Sequence, residues 1–106
     1  MKKISESSGN VFADLDLPNA DELQARAALT REVYLLIKKR GLTQKQAAAR
    51  LGLKQPDVSL VMRGRYTRFS TERLMRMLKA LGRDVEISVK EPPRSRSIGR
   101  VVVVSA

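Results

Sequence analysis

The sequence contains no histidine and no cysteine among its 106 residues. Without these residue types the chain lacks the commonest general base, the thiolate nucleophile, disulfides and the usual zinc ligands. Carboxylates, lysine and serine remain, but no spacing in the sequence arranges them as a catalytic or metal-binding set. We therefore expect a protein that is not an enzyme and that needs no metal and no cofactor.

Aromatic residues and long apolar runs are also scarce. The chain has two tyrosines, two phenylalanines and no tryptophan, which disfavours nonspecific binding of single-stranded RNA, because that mode relies on stacking. No apolar run approaches the roughly 20 residues that span a bilayer, and the start "MKKISESSGNVFADL" lacks the apolar core of a signal peptide. The sequence predicts a cytoplasmic protein with no membrane partner.

Positive charge is abundant and unevenly distributed. The formal net charge is +10. Residues 1–40 carry seven Lys or Arg against six acids, whereas residues 41–83 carry ten against two. A polyanionic partner explains this concentration better than a uniformly solvated surface does.

Two helices are framed by residues typical of helix ends. For the first, Asn19 is the predicted N-cap, Glu22 its capping-box partner and Gly41 the C-terminal stop. For the later one, Ser70 is the predicted N-cap and Gly82 the stop. The apolar residues recur at helical spacing and predict buried stripes of Leu29, Val33, Leu36 and Ile37, and of Leu74, Met77, Leu78 and Leu81, with Phe69 as a hydrophobic staple against Leu74.

The stretch "LTQKQAAARLGLKQPDVSLVMRGR", residues 42–65, lies between these helices and has the spacing of a helix-turn-helix. Thr43 is suited to cap a helix that begins at Gln44, and Gly52 allows the left-handed backbone of a sharp turn. The second helix is predicted to begin at Gln55 or Pro56. Small residues at the crossing and core-facing residues complete the pattern: Ala47, Ala48, Leu53, Val58, Val61 and Met62. A plain helical hairpin is the alternative, but it does not explain the charge bias.

The side of the second helix opposite Val58 and Val61 contains no acid. In a major groove, leucine can contact a thymine methyl, serine can bond either base type and arginine can fork onto guanine. The predicted base-contacting residues are Gln55, Pro56, Ser59, Leu60 and Arg63. The predicted phosphate-contacting residues are Thr43, Gln44, Lys54, Arg65, Tyr66, Thr67 and Arg68. Two alternatives stay open: an exposed Leu60 also fits a protein interface, and Gln55 could bond Gln44 as well as a base.

After Gly82 the hydrophobic period changes from 3.6 to 2, so "DVEISVK", residues 84–90, predicts a strand with Val85, Ile87 and Val89 on one face. Such a strand needs a partner. The N-terminal arm, the run "RVVVV" at residues 100–104 and the same strand of a second subunit are the candidates, and the last would make a symmetric homodimer.

The composition along the chain predicts four segments. They are a partly disordered arm at residues 1–18, a helix-turn-helix DNA-binding domain at 19–83, a dimerisation strand at 84–90 and a basic flexible tail at 91–106.

Residues 29–81 resemble the Cro/lambda-repressor (XRE) family of helix-turn-helix regulators. The resemblance rests on "LTQ" at the start of the first helix of the pair, "AAARLG" before the turn, "QPDVS" in the second helix and "RGR" after it. Gln44 and Gln55 match that family's glutamine pair, in which the first holds the phosphate backbone and supports the second at the bases. Lys54 departs from the Ser or Thr of many relatives. The resemblance implies a mostly α, lambda-repressor-like bundle of four to five helices.

The flanking sequences "SSGNVFADLDLPNADEL" and "LGRDVEI" resemble the HigA-like antitoxin branch of that family. Members of this branch pair with RelE-type toxins, repress their own operons and are typically dimeric. The resemblance implies a C-terminal β-strand, paired across a dimer, where phage repressors have a fifth helix.

The sequence thus predicts a sequence-specific DNA-binding transcriptional regulator, an autorepressor that acts as a homodimer on a palindromic operator. The alternative is an antitoxin whose main role is to bind and neutralise a RelE/HigB-type toxin, with DNA binding as feedback. Double-stranded DNA and a second copy of the chain are the expected partners, and the toxin is added under the alternative.

Overall fold

Four α-helices and one short 3₁₀ helix form the part of the chain that the computed structural model describes, residues 20–105. The helices are α1 (Ala20–Lys39), α2 (Gln44–Leu51), α3 (Gln55–Met62) and α4 (Thr71–Ala80), and the 3₁₀ helix (Tyr66–Arg68) lies between α3 and α4. The prediction of a mostly α-helical bundle of four to five helices is confirmed.

Helix α1 is the scaffold on which the others pack, since it contacts α4, α3 and the 3₁₀ helix. Its predicted apolar stripe is buried as expected, and Val33 and Ile37 are at most 1% exposed. The helix ends where Gly41 takes a φ of 62° and the N–H of Leu42 donates to the carbonyl of Ile37 at 3.1 Å, an arrangement typical of a glycine stop. The predicted N-cap, Asn19, lies outside the described residues.

Both ends of α2 and the start of α3 are where the sequence predicted them. Thr43 caps α2: its hydroxyl accepts from the N–H of Gln46 at 3.0 Å, and its own N–H donates to the Gln46 side chain at 2.9 Å. Gly52 closes α2 with a φ of 66°, and its N–H donates to the carbonyl of Ala48. Helix α3 begins at Gln55, the earlier of the two predicted starts.

A single hydrophobic cluster joins all four helices. Ala47 of α2 and Val58 and Val61 of α3 are fully buried, and Phe69 is 1% exposed just before the Ser70 cap of α4. Each buried Val or Phe side chain contributes about 1.5–3 kcal/mol to stability. The helix-turn-helix pair is therefore held by the same core as α1 and α4, and its geometry is fixed by the whole bundle.

The segment at residues 84–90 follows α4 as an extended chain. No strand is assigned to it, and no backbone hydrogen bond pairs it with another part of residues 20–105. Val85 is half-buried and packs against the core, whereas Ile87 and Val89 are 76% and 92% exposed. The predicted strand and its pairing across a dimer stay predictions, because a ladder needs a second chain segment that this part of the chain does not supply.

Residues 101–105 return to α1. The N–H of Val101 donates to the carboxylate of Asp21 at 2.9 Å, and the Ser105 hydroxyl bonds to the carboxylate of Glu32. Val103 packs against the hydrophobic core. In this arrangement the valine run lies on the first helix, so it is not the partner of residues 84–90.

Candidate nucleic-acid interface

The helix-turn-helix pair presents one face of α3 outward. Helix α2 packs closely on α3 because Ala47 and Ala48, 0% and 6% exposed, leave room at the crossing. Val58 and Val61 bury the opposite side of α3 against the core. The orientation of the outward face is consequently set by packing, before any ligand binds.

The N-terminus of α2 lies next to this face with unused hydrogen-bond donors. Gln44 and Lys45 are exposed, and their backbone N–H groups have no hydrogen-bond partner within the described residues. Such groups, at the positive end of a helix, are suited to a phosphate oxygen. Thr43 directly precedes these groups, and its own N–H is already bonded to the Gln46 side chain.

The five predicted base-contacting residues differ in exposure. Gln55, Pro56 and Arg63 are exposed, whereas Ser59 and Leu60 are half-buried. The expectation of an exposed leucine is therefore wrong for Leu60, because its flank of α3 packs against the core. Only part of the Leu60 side chain is left for a thymine methyl group.

The structure brings together the end of the predicted reading face and the residues after it. Five of them line one surface cleft of about 290 Å³, which we call the cationic cleft: Leu60, Arg63, Arg65, Thr67 and Arg68. Three arginines line it and no acid does. Planar guanidinium groups bind phosphate bidentately, and a hydroxyl adds a further donor. The cleft thus combines two predicted base contacts, Leu60 and Arg63, with three of the predicted phosphate contacts.

Other predicted residues lie apart from the cationic cleft. Thr43, Gln44 and Lys54 lie at the two helix starts and do not line it. No hydrogen bond joins Gln44 to Gln55, so both amides are available to a ligand. Tyr66 is half-buried and lines a second cleft on the α1 side.

The acid on α3 is used structurally. Asp57 pairs with Arg73 of α4 at 3.3 Å, and the Arg73 guanidinium lies 5.2 Å from the centre of the Phe69 ring. This contact ties the start of α3 to α4. The ion pair also neutralises Arg73, which the charge count had placed among the positive residues. Its two partners lie 16 residues apart, so no local sequence pattern indicates the pair.

Sequence reasoning missed two residues of α1 beside the interface. Arg31 and Tyr34 line the second cleft together with Arg63 and Tyr66. Ala27, Thr30, Arg31 and Tyr34 have the i, i+3, i+4, i+7 spacing of one helical face, and that spacing is the signal that could have found them.

The described residues show neither a metal-binding group nor a membrane-spanning helix. Within residues 20–105 no group of three or more acids is placed to hold a metal ion. None of the helices there has the length and apolarity needed to cross a membrane. The fold and the site together define a helix-turn-helix protein with a cationic outward face.

Comparisons with known proteins agree with this class. A family model described as a helix-turn-helix domain matches residues 11–90. A solved structure described provisionally as an XRE family transcriptional regulator is 44% identical, covers 84% of this chain and 100% of its own, and superposes with a TM-score of 0.77. No curated protein sequence matches the chain significantly. The chain belongs to the XRE family of helix-turn-helix transcriptional regulators.

Proposed function

We propose that the protein is a sequence-specific DNA-binding transcriptional regulator in which α2 holds the DNA backbone and α3 reads bases in the major groove. The observation that carries this proposal is the cationic cleft, where Arg63 at the end of α3 lies beside Arg65 and Arg68. A base contact and phosphate contacts are thereby available to one short stretch of duplex. Family membership supports the same function.

Each side-chain role follows from the chemistry of the groove. Arg63 forks onto guanine, Ser59 bonds either base type, and the outward part of Leu60 contacts a thymine methyl. Gln55 and Pro56, at the exposed start of α3, complete the reading face. The phosphate contacts lie at the helix starts and in or beside the cationic cleft: Thr43, Gln44, Lys54, Arg65, Tyr66, Thr67 and Arg68.

Fluorescence anisotropy with DNA from the protein's own promoter and with random DNA tests these roles. The Ser59→Ala, Arg63→Ala double variant is expected to lose most of its preference for promoter DNA, since a good bidentate base contact contributes about 1–3 kcal/mol of discrimination. The matched variants Arg65→Ala and Arg68→Ala should weaken binding to both DNAs similarly and flatten the salt dependence. Undiminished preference in the double variant would show that the reading face is assigned wrongly.

We propose further that two copies bind a palindromic operator and that the protein represses its own gene. The extended segment at residues 84–90 supports dimerisation, because Ile87 and Val89 are exposed and its backbone groups are unpaired within the described residues. Two such segments can pair antiparallel about a two-fold axis, with Val85, Ile87 and Val89 sharing one face. The two α3 helices would then lie about 34–36 Å apart on one side of the duplex.

Light scattering on the free protein tests the dimer. Ile87→Asp should yield a monomer with intact helical circular dichroism, because the side chain is 76% exposed in the single chain. Ile98→Asp is the matched control, since Ile98 is 79% exposed but outside the segment. A dimer that survives Ile87→Asp, or that Ile98→Asp disrupts equally, would contradict the assigned interface.

An antitoxin role is the second candidate, in which the protein neutralises a RelE/HigB-type toxin and DNA binding supplies feedback. The exposed apolar side chains at Ile87 and Val89 support it, because they offer a surface to a protein partner. A small toxin gene adjacent to this one is expected, and co-expression should rescue growth from that toxin. An operon without such a gene would exclude the antitoxin role and leave transcriptional regulation as the proposed function.

A further inference from the structure

A second cleft, which we call the α1 cleft, separates helix α1 from the end of the reading helix. It has a volume of about 310 Å³. One wall is formed by α1, and the other by the last turn of α3 with Gly64 and Tyr66. Its volume is at the lower end of the range for small-molecule sites.

The polar lining of this cleft includes two arginines and one buried hydroxyl. Arg31 and Arg63 are exposed, neither forms an ion pair within the described residues, and no acid lines the cleft. The hydroxyl of Thr30 belongs to a residue that is 2% exposed, and it has no hydrogen-bond partner there. Buried hydroxyls are normally bonded, so this one is a polar group left unsatisfied in the wall of the cleft.

The rest of the wall is mainly apolar. Ala27 and Met62 supply aliphatic surface, and Tyr34 supplies an aromatic ring. Free phosphate would bury no apolar surface against them. An apolar body with one anionic group would bury that surface and would also receive bidentate hydrogen bonds from a guanidinium group.

We propose that the α1 cleft binds a small organic carboxylate with an aromatic or branched aliphatic body, and that this ligand weakens DNA binding. The second part rests on the proposed function, because Arg63 lines both the α1 cleft and the cationic cleft. A carboxylate that holds Arg63 on the α1 side removes it from the bases. By linkage, operator DNA must weaken ligand binding by the same factor.

The binding part is tested by ¹⁵N NMR titration of the full chain with 4-hydroxyphenylacetate and with its neutral amide. The carboxylate should give saturable shifts centred on Thr30 and Gly64, and the amide should bind at least about tenfold more weakly. Shifts that stay linear to about 10 mM, or that spread over the whole basic surface, would overturn the site.

Three variants locate the binding to the cleft. Arg31→Gln removes a charge from the cleft, and Ala27→Leu fills part of the cleft while keeping both arginines. Each should weaken binding of the carboxylate by about tenfold. Lys38→Gln is the matched control, since it removes an exposed charge from α1 outside the cleft and should change nothing. Equal losses of carboxylate affinity in Lys38→Gln and Arg31→Gln would show that the basic surface attracts anions in general, and they would refute the site.

The coupling part is tested by anisotropy with promoter DNA. At saturation the carboxylate should lower DNA affinity about tenfold in the wild type, and Arg31→Gln should need about tenfold more of it for the same effect. If Arg31→Gln alone lowers DNA affinity, the α1 cleft receives a DNA phosphate and the ligand proposal is wrong. If the protein binds no DNA specifically, the proposed function fails, while the NMR titration still decides the ligand site.

Discussion

Replacing Thr30 by valine should stabilise the protein. Thr30 is 2% exposed on the inner side of α1, and its hydroxyl has no hydrogen-bond partner within the described residues. A buried polar group without a partner costs about 1–3 kcal/mol of desolvation. Valine has nearly the same shape and a similar helix propensity, so the substitution removes this cost without leaving a cavity.

The expected gain is about 1–2 kcal/mol in the free energy of unfolding, and each kcal/mol corresponds to a rise of about 4–8 °C in Tm for a chain of this size. Urea unfolding followed by circular dichroism measures it, with an unchanged m-value as the sign that the unfolded state is unaffected.

Thr30→Ser is the matched control. It keeps the hydroxyl and deletes the buried methyl group, so it should destabilise the protein by about 1 kcal/mol. A loss of stability in Thr30→Val as well would refute the reasoning, because it would show that the hydroxyl makes a hydrogen bond that valine cannot replace.

Five further substitutions examine the frame of the helix-turn-helix. Gly52→Ala and Gly64→Ala should each destabilise by about 1–2 kcal/mol in urea unfolding: both glycines have φ near 70° and no atom within 4 Å of an added Cβ, so backbone strain alone acts. Unequal losses would reveal a side-chain clash. Asp57→Asn and Arg73→Gln should show a coupling of only about 0.5 kcal/mol in a double-mutant cycle, falling with salt, because the pair is partly exposed; a salt-independent coupling would contradict this. Thr43→Ala should cost about 1 kcal/mol through the lost cap, and an unchanged urea midpoint would speak against it.

The helix ends were predictable because they depend on local chemistry. Thr43 and Ser70 cap α2 and α4 through their own side chains, and Gly41 and Gly52 end helices with a left-handed backbone. Hydroxyl caps and glycine stops act within about four residues, a range that the sequence displays directly.

The features that the sequence did not predict depend on which helices pack against each other. Leu60 is half-buried because its flank of α3 packs against the core, an outcome that helical spacing alone did not distinguish from exposure. Arg73 pairs with Asp57 on another helix, and Arg31 lines the cleft at the end of α3 only because α1 packs there. These contacts join residues at least 16 positions apart, so charge counts along the chain could not separate free arginines from paired ones.

The return of residues 101–105 to α1 divides the molecule into parts of unequal stability. The bond from Val101 to Asp21 spans 80 residues, and that from Ser105 to Glu32 spans 73, so both close large loops that form only once the helices are in place. These last residues can therefore open as a separate unit while the four helices stay folded. The Val101 amide should accordingly exchange its hydrogen by local opening, long before the core amides exchange by global unfolding.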